Sequence, residues 1–153
     1  QTKGGASCIF HAMSEEDVER IMQHPQTMIA SDGRLVEPGV GHPHPRWYGT
    51  FPRVLGHYAR DKKTITLSTA IYKMTLLPAK SLGLKDRGII KVGAKADITI
   101  FNANTVIDKA TFQKPHQYPE GIPYVIVNGQ ISVDNGEFKK LKAGKVLRKN
   151  SNE

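Results

Sequence analysis

Apolar positions along the chain change period several times. Residues 6–12 (ASCIFHA) are short and largely apolar, which predicts a buried strand. Ser14-Glu15-Glu16-Asp17 then opens a helix: Ser14 is a good N-cap, and the acids suit the positive end of the helix dipole. Val18, Ile21 and Met22 give that helix its stripe, and His24-Pro25 ends it. Met28-Ile29-Ala30 is a second apolar run, closed by Ser31-Asp32-Gly33, and reads as a second buried strand. Strand, helix and strand with short joins predict a βαβ unit with parallel neighbours. Phe51, Val54, Leu55 and Tyr58 lie on one face of a helix over 48–60, with Pro52 tolerated near its first turn. Leu67, Ala70, Ile71 and Met74 predict a helix over 66–76, which Pro78 breaks. A short turn at 79–82 closes at Gly83.

From Asp86 the period becomes two. Ala96, Ile98 and Ile100 alternate with Asp97, Thr99 and Phe101, which is a strand pattern. Residues 124–127 form another strand, Asn128-Gly129 a hairpin turn, and 130–133 the return. Val146 and Leu147 suggest a last short strand, and 103–121 is a long polar connection. So few strands rarely stand alone, so they are expected to pair with strands from elsewhere.

The chain of 153 residues is long enough for one ordinary domain. Its 22 basic and 14 acidic residues give a net charge of +8, with much of the excess at Lys139, Lys140, Lys142, Lys145, Arg148 and Lys149. That excess is spread out and lacks aromatic interleaving. It points to a solvated surface or an anionic small substrate in preference to nucleic acid. Cys8 is the only cysteine, which excludes an internal disulfide and a cysteine-rich zinc site. No apolar run reaches membrane-spanning length. The first residue is Gln, so the start reads as a cut, with any targeting segment removed. A cytoplasmic location is the default expectation.

The chemistry concentrates in residues 27–48. Asp32 is the last side chain before the chain turns at the tip of a predicted buried strand, where α/β enzymes place catalytic groups. Asp-Gly is also an ordinary turn dipeptide. His42-Pro43-His44-Pro45-Arg46 places a guanidinium on a stiff tether, suited to gripping an anion. Cys8 and His11 are each capable of binding metal, but single residues of these types more often serve packing.

Taken in order, the SEEDV helix, HP, MIASDG, HPHPR, GTFPRVL, KADITIF and VNG form a specific set. It is similar to the C-terminal part of the D-aminoacylase (N-acyl-D-amino-acid deacylase) family of the amidohydrolase superfamily, over about residues 6–149. The resemblance implies an α/β fold: residues 1–85 as the C-terminal part of a (β/α)8 TIM barrel, and 86–153 as strands of a small β-sandwich with a basic tail. It also implies a zinc-dependent hydrolase of N-acyl-D-amino acids. Asp32 matches the family's catalytic aspartate, with a metal contact as a weaker shared role. Arg46 matches the arginine that holds the substrate's α-carboxylate. His42 and His44 are not assigned as ligands. The family's main zinc ligands, a cysteine and several histidines, come from earlier barrel strands. The implied partners are therefore a missing N-terminal barrel portion and an N-acyl amino acid substrate, with no nucleic acid and no membrane. On this reading the 153 residues alone neither bind catalytic zinc nor hydrolyse amides. Alternative readings are a cyclic-amide hydrolase of dihydroorotase or hydantoinase type, a non-catalytic remnant acting as an interaction module, and a basic nucleic-acid binder.

Overall fold

The computed structural model describes residues 8–147. Helix α1 (Glu15–Gln23) begins as expected, with the Ser14 hydroxyl accepting the Asp17 N–H at 3.2 Å. Helix α2 (Arg46–Arg53) starts before the expected position and runs on into a π-helical segment, Val54–Asp61. Pro52 consequently lies near the C-terminal end of α2 and not in its first turn. Having no N–H, it cannot supply its rung of the helical ladder. The wider winding that follows still holds at its end, where Lys62 N–H donates to the His57 carbonyl at 2.8 Å. Helix α3 (Leu67–Met74) is capped by Thr66 and stops at Thr75, which adopts φ −127°, ψ −80°. Pro78 does not break it; that proline sits in the first turn of α4 (Leu76–Ser81), where its missing N–H costs nothing.

The core gathers Met22 of α1, Val54, Leu55, Tyr58 and Ala59 of the π-helical segment, and Ile65, Ala70 and Val106. Partly buried Ile29, Phe101 and Ile122 pack against it. Val106 and Ala70 are wholly removed from solvent. The helical layer approaches the Val106 backbone so closely that a Cβ on Gly56 would lie 2.3 Å from the Val106 carbonyl oxygen. The same oxygen accepts Arg60 Nη1–H at 2.7 Å.

Strands β1 (Ile98–Ile100), β2 (Tyr124–Val127), β3 (Gln130–Asp134) and β4 (Glu137–Phe138) form one antiparallel sheet in that order. Ile98 is registered with Ile126, and Val125 with Val133. Among the described residues the strands pair with one another. Asn-Gly turns join β2 to β3 and β3 to β4: Asn128 (φ 47°) with Gly129 (φ 78°), and Asn135 (φ 50°) with Gly136 (φ 83°), the left-handed pair that suits a tight hairpin. Gly129 N–H donates to the Ala96 carbonyl and Gly136 N–H to the Pro123 carbonyl, both at 2.9 Å. Arg87 pairs with Asp97, whose other oxygen accepts Asn128 N–H at 2.7 Å. The short DRG, KAD and VNG segments therefore meet at one turn.

Three expected strands do not form among the described residues. Residues 8–12 and 28–31 carry no ladder, and no parallel pairing occurs among the described residues. The remaining two residues of the first predicted strand, 6 and 7, lie outside the described residues. A strand needs a neighbour as well as an apolar run, and here the Ile29 N–H goes to the Lys73 carbonyl of α3 at 3.1 Å. Val146 and Leu147 are exposed and irregular. The alternation near β1 is also displaced: Ile100 is 47% exposed, and Phe101 turns to the core in its place. The observed fold is thus mixed helix and antiparallel sheet. No helix among the described residues is long and apolar enough to cross a membrane.

Candidate functional site

The segment leading to Asp32 is held from below by α3. Lys73 is almost wholly buried, and its ammonium donates to the carbonyls of Thr27 (2.9 Å) and His24. These are the carbonyls left by the chain as it leaves α1. Burial pushes the Lys73 pKa below the usual lysine value. With its own carbonyl accepting Ile29 N–H, Lys73 fixes residues 24–29 at three points.

Beyond Ile29 the chain emerges. Gly33 N–H donates to the Ser31 hydroxyl at 3.1 Å, and Asp32 takes the left-handed conformation at φ 45°, which aspartate tolerates better than most residues. Its carboxylate is 84% exposed. Arg46 opens α2, and its Nη2–H donates to Asp32 Oδ2 at 2.5 Å while Nε–H donates to the Asp32 carbonyl at 3.3 Å. The two residues singled out in the sequence are therefore brought into direct contact. Nη1 of Arg46 has no partner among the described residues, so one donor edge of the guanidinium still faces outward.

His44 Nδ1 accepts the Arg46 N–H at 3.1 Å, which places its proton on Nε2. Its pKa is lowered, first by burial and then by the positive charge of Arg46, with Asp32 opposing. The His44 ring meets the Phe112 ring edge-on at 5.2 Å, and His11 meets the same ring at 4.7 Å. His42 Nε2–H donates to the Phe112 carbonyl at 2.6 Å. Tyr48, one turn into α2, gives its hydroxyl to His116 Nδ1 at 2.9 Å; burial, and then Tyr118, raise its pKa.

Among the described residues no three His, Cys, Asp or Glu side chains are grouped so as to hold a metal ion. His11 packs on an aromatic ring, Cys8 is exposed, and Asp32 offers one carboxylate engaged by Arg46. An apolar groove of about 640 Å³, lined by Phe51, Leu55, Ile71, Met74, Ile98 and Ile122, lies apart from both Asp32 and Arg46. Apolar side chains dominate its lining, although Lys91, Lys95 and Asp97 also border it, and neither residue of the Asp32–Arg46 pair, the candidate site, reaches it.

Sequence reasoning passed over Lys73, Phe112 and His116. A lysine at i+3 from core-facing Ala70 is the signal that could have found the first. Phe112 and His116 sit in an irregular connection with no period to read.

The sequence model of the amidohydrolase family matches residues 4–133. The N-acyl-D-glutamate deacylase of Alcaligenes xylosoxydans xylosoxydans is 44% identical over 146 residues, covering 95% of this chain and 29% of that protein. A solved D-aminoacylase, studied for its binuclear metal centre, is 46% identical with a TM-score of 0.81, over 88% of this chain and 28% of that one. The N-acyl-D-glutamate deacylase from Bordetella bronchiseptica was solved with zinc and a phosphonate mimic of the tetrahedral intermediate. It is 44% identical with a TM-score of 0.72, over 78% of this chain and 24% of that one. The chain thus spans less than a third of the length of the proteins it matches.

Proposed function

The chain belongs to the amidohydrolase family, and from that premise we propose that it is the C-terminal portion of a zinc-dependent enzyme that hydrolyses the amide bond of N-acyl-D-amino acids, releasing a carboxylate and a D-amino acid. Helices α1–α4 belong to the closing part of a (β/α)8 barrel, and β1–β4 to a small β-sandwich, with the division near residues 85 and 86. The principal zinc ligands lie in the length of the relatives that this chain does not span. Zinc, when bound, supplies activation of a water molecule at neutral pH.

Two roles belong to residues of this chain. Asp32 takes a proton from the attacking water and returns it to the leaving amine, as a carboxylate within hydrogen-bond reach can do. Its exposure leaves the carboxylate accessible to a substrate. Arg46 holds the α-carboxylate of the substrate through its planar fork. The observation that carries this reading is the close pairing of Asp32 with Arg46, with Nη1 of the guanidinium left without a partner among the described residues.

The decisive experiment replaces Asp32 with Asn in the zinc-loaded enzyme of full family length. We expect kcat on an N-acetyl-D-amino acid to fall about 10²- to 10⁴-fold with zinc retained. Wild-type turnover by that variant, or a strong preference of the parent enzyme for cyclic amides, ends the assignment.

A further inference from the structure

Residues 111–118 cross the loop that separates Asp32 from Arg46 and hold it at several points. His116 Nδ1 accepts from Gly39 N–H at 3.2 Å and from the Tyr48 hydroxyl at 2.9 Å, while Nε2–H donates to the Gly41 carbonyl at 3.1 Å. With the proton on Nε2, the single Nδ1 lone pair is shared between the Tyr48 hydroxyl and the Gly39 N–H. His42 adds its bond to the Phe112 carbonyl, and the Phe112 ring bears on His44. His44 in turn accepts the N–H of Arg46. A continuous run of contacts therefore leads from the crossing segment to the backbone of Arg46, at the start of α2.

The loop has little else to hold it. Gly39 (φ 83°) and Gly41 (φ 71°) have open space where a side chain would lie, and Leu35 and Val40 are exposed. The crossing segment, by contrast, is braced internally. Gln117 Nε2–H donates to the carbonyls of Lys109 (2.7 Å) and Lys114 (2.8 Å), and Lys114 N–H to the Thr111 hydroxyl at 3.0 Å. Buried Ala110 anchors its start. A braced segment gripping an unsupported loop sets where that loop sits.

We propose that residues 111–118 act as a specificity strap, with His116 as the positioning residue that fixes loop 33–45 and so places Arg46 for the carboxylate of the substrate. This rests on the deacylase reading above. It assigns to the long connection a role in substrate affinity and none in the proton transfer.

The test pairs a structural readout on the chain as it stands with kinetics on the zinc-loaded enzyme of full family length, using N-acetyl-D-glutamate. His116→Ala is expected to speed amide hydrogen exchange over residues 39–46, and to raise KM about tenfold with kcat changed less than about threefold, the scale of one or two lost hydrogen bonds. His116→Asn keeps an acceptor where Nδ1 lies and should recover much of both effects. Tyr48→Phe removes one bond with little risk to folding and should move both readouts in the same direction by less. Faster loop exchange with an unchanged KM overturns the proposal and leaves the deacylase reading intact. A fall in kcat equal to the rise in KM, without rescue by Asn, also overturns it. A parent enzyme inert toward N-acyl-D-amino acids removes both.

Discussion

Gly56 and Asp32 are each fixed by a distant part of the chain, Gly56 through contact and Asp32 through hydrogen bonds and charge. The Gly56 seat is dry. Val106 touches it with no solvent exposure, and Arg60 closes over the same carbonyl. The Asp32 segment is wet. Its carboxylate is 84% exposed, its backbone has no ladder, and its anchors are Arg46 above and Lys73 below. Close packing resists any added atom and carries stability, because interiors do not deform cheaply. Exposed ion pairs contribute little stability but keep a charged group available. The difference separates the part of the molecule that holds the fold from the part that keeps a charged pair open to solvent.

Three substitutions test that separation. Gly56→Ala should do most damage. Helix propensity alone favours alanine by about 1 kcal/mol, yet a Cβ at 2.3 Å from the Val106 oxygen must push the layers apart. We expect a net loss of about 2–3 kcal/mol by urea melting; a stabilised variant would mean the seat is not tight. Lys73→Met comes next, because it removes the ammonium from the Thr27 carbonyl and leaves the His24 carbonyl with the Thr27 N–H alone, at about 1–3 kcal/mol. Its pH dependence has a fixed sign. Burial lowers the folded pKa of Lys73 below 10.5, so between the lowered value and 10.5 the unfolded chain binds more protons and stability rises with pH. The stability advantage of the native chain over Lys73→Met should therefore widen through that window and level off above it. A gap that narrows as pH rises would contradict the burial of the charged form. Asp32→Asn should do least. Asparagine accepts φ 45° as readily as aspartate, and the carboxylate is exposed. Its melting temperature should stay within about 2 °C of the native chain, although the same change is expected to remove most activity.

What could be read in the sequence follows the range of the forces involved. Ser14 and its acids specify the start of α1 locally, and Asn128-Gly129 specifies its turn locally, so both were legible. The strand expected at Met28–Ala30 was not, because an apolar run cannot reveal whether a ladder partner exists; a helix carbonyl takes the Ile29 N–H instead. Pro52 and Pro78 each marked a change in the helices, but the lone residue could not say on which side of it the helix lay. At the site, Asp32 and Arg46 stood out by residue type and by the ordered motifs around them. Their direct contact, and the part played by His116 from the far side of the sequence, depend on how the 103–121 connection folds back, and no period in that connection announces it.

The two hairpin turns also bear on how this protein ages. An Asn-Gly pair is prone to deamidation, in which the glycine nitrogen attacks the asparagine side-chain carbonyl, closes a five-membered imide ring and expels ammonia. At both turns that nitrogen carries a proton already committed to a carbonyl, of Ala96 for Gly129 and of Pro123 for Gly136. The Asn128 amide is further restrained by its own bond to the Ala143 carbonyl at 2.7 Å. Ring closure must first break a contact that ties the sheet together, so chemical ageing at these positions is coupled to opening of the sheet. Each event, once the imide hydrolyses, adds one negative charge to a chain that begins at +8.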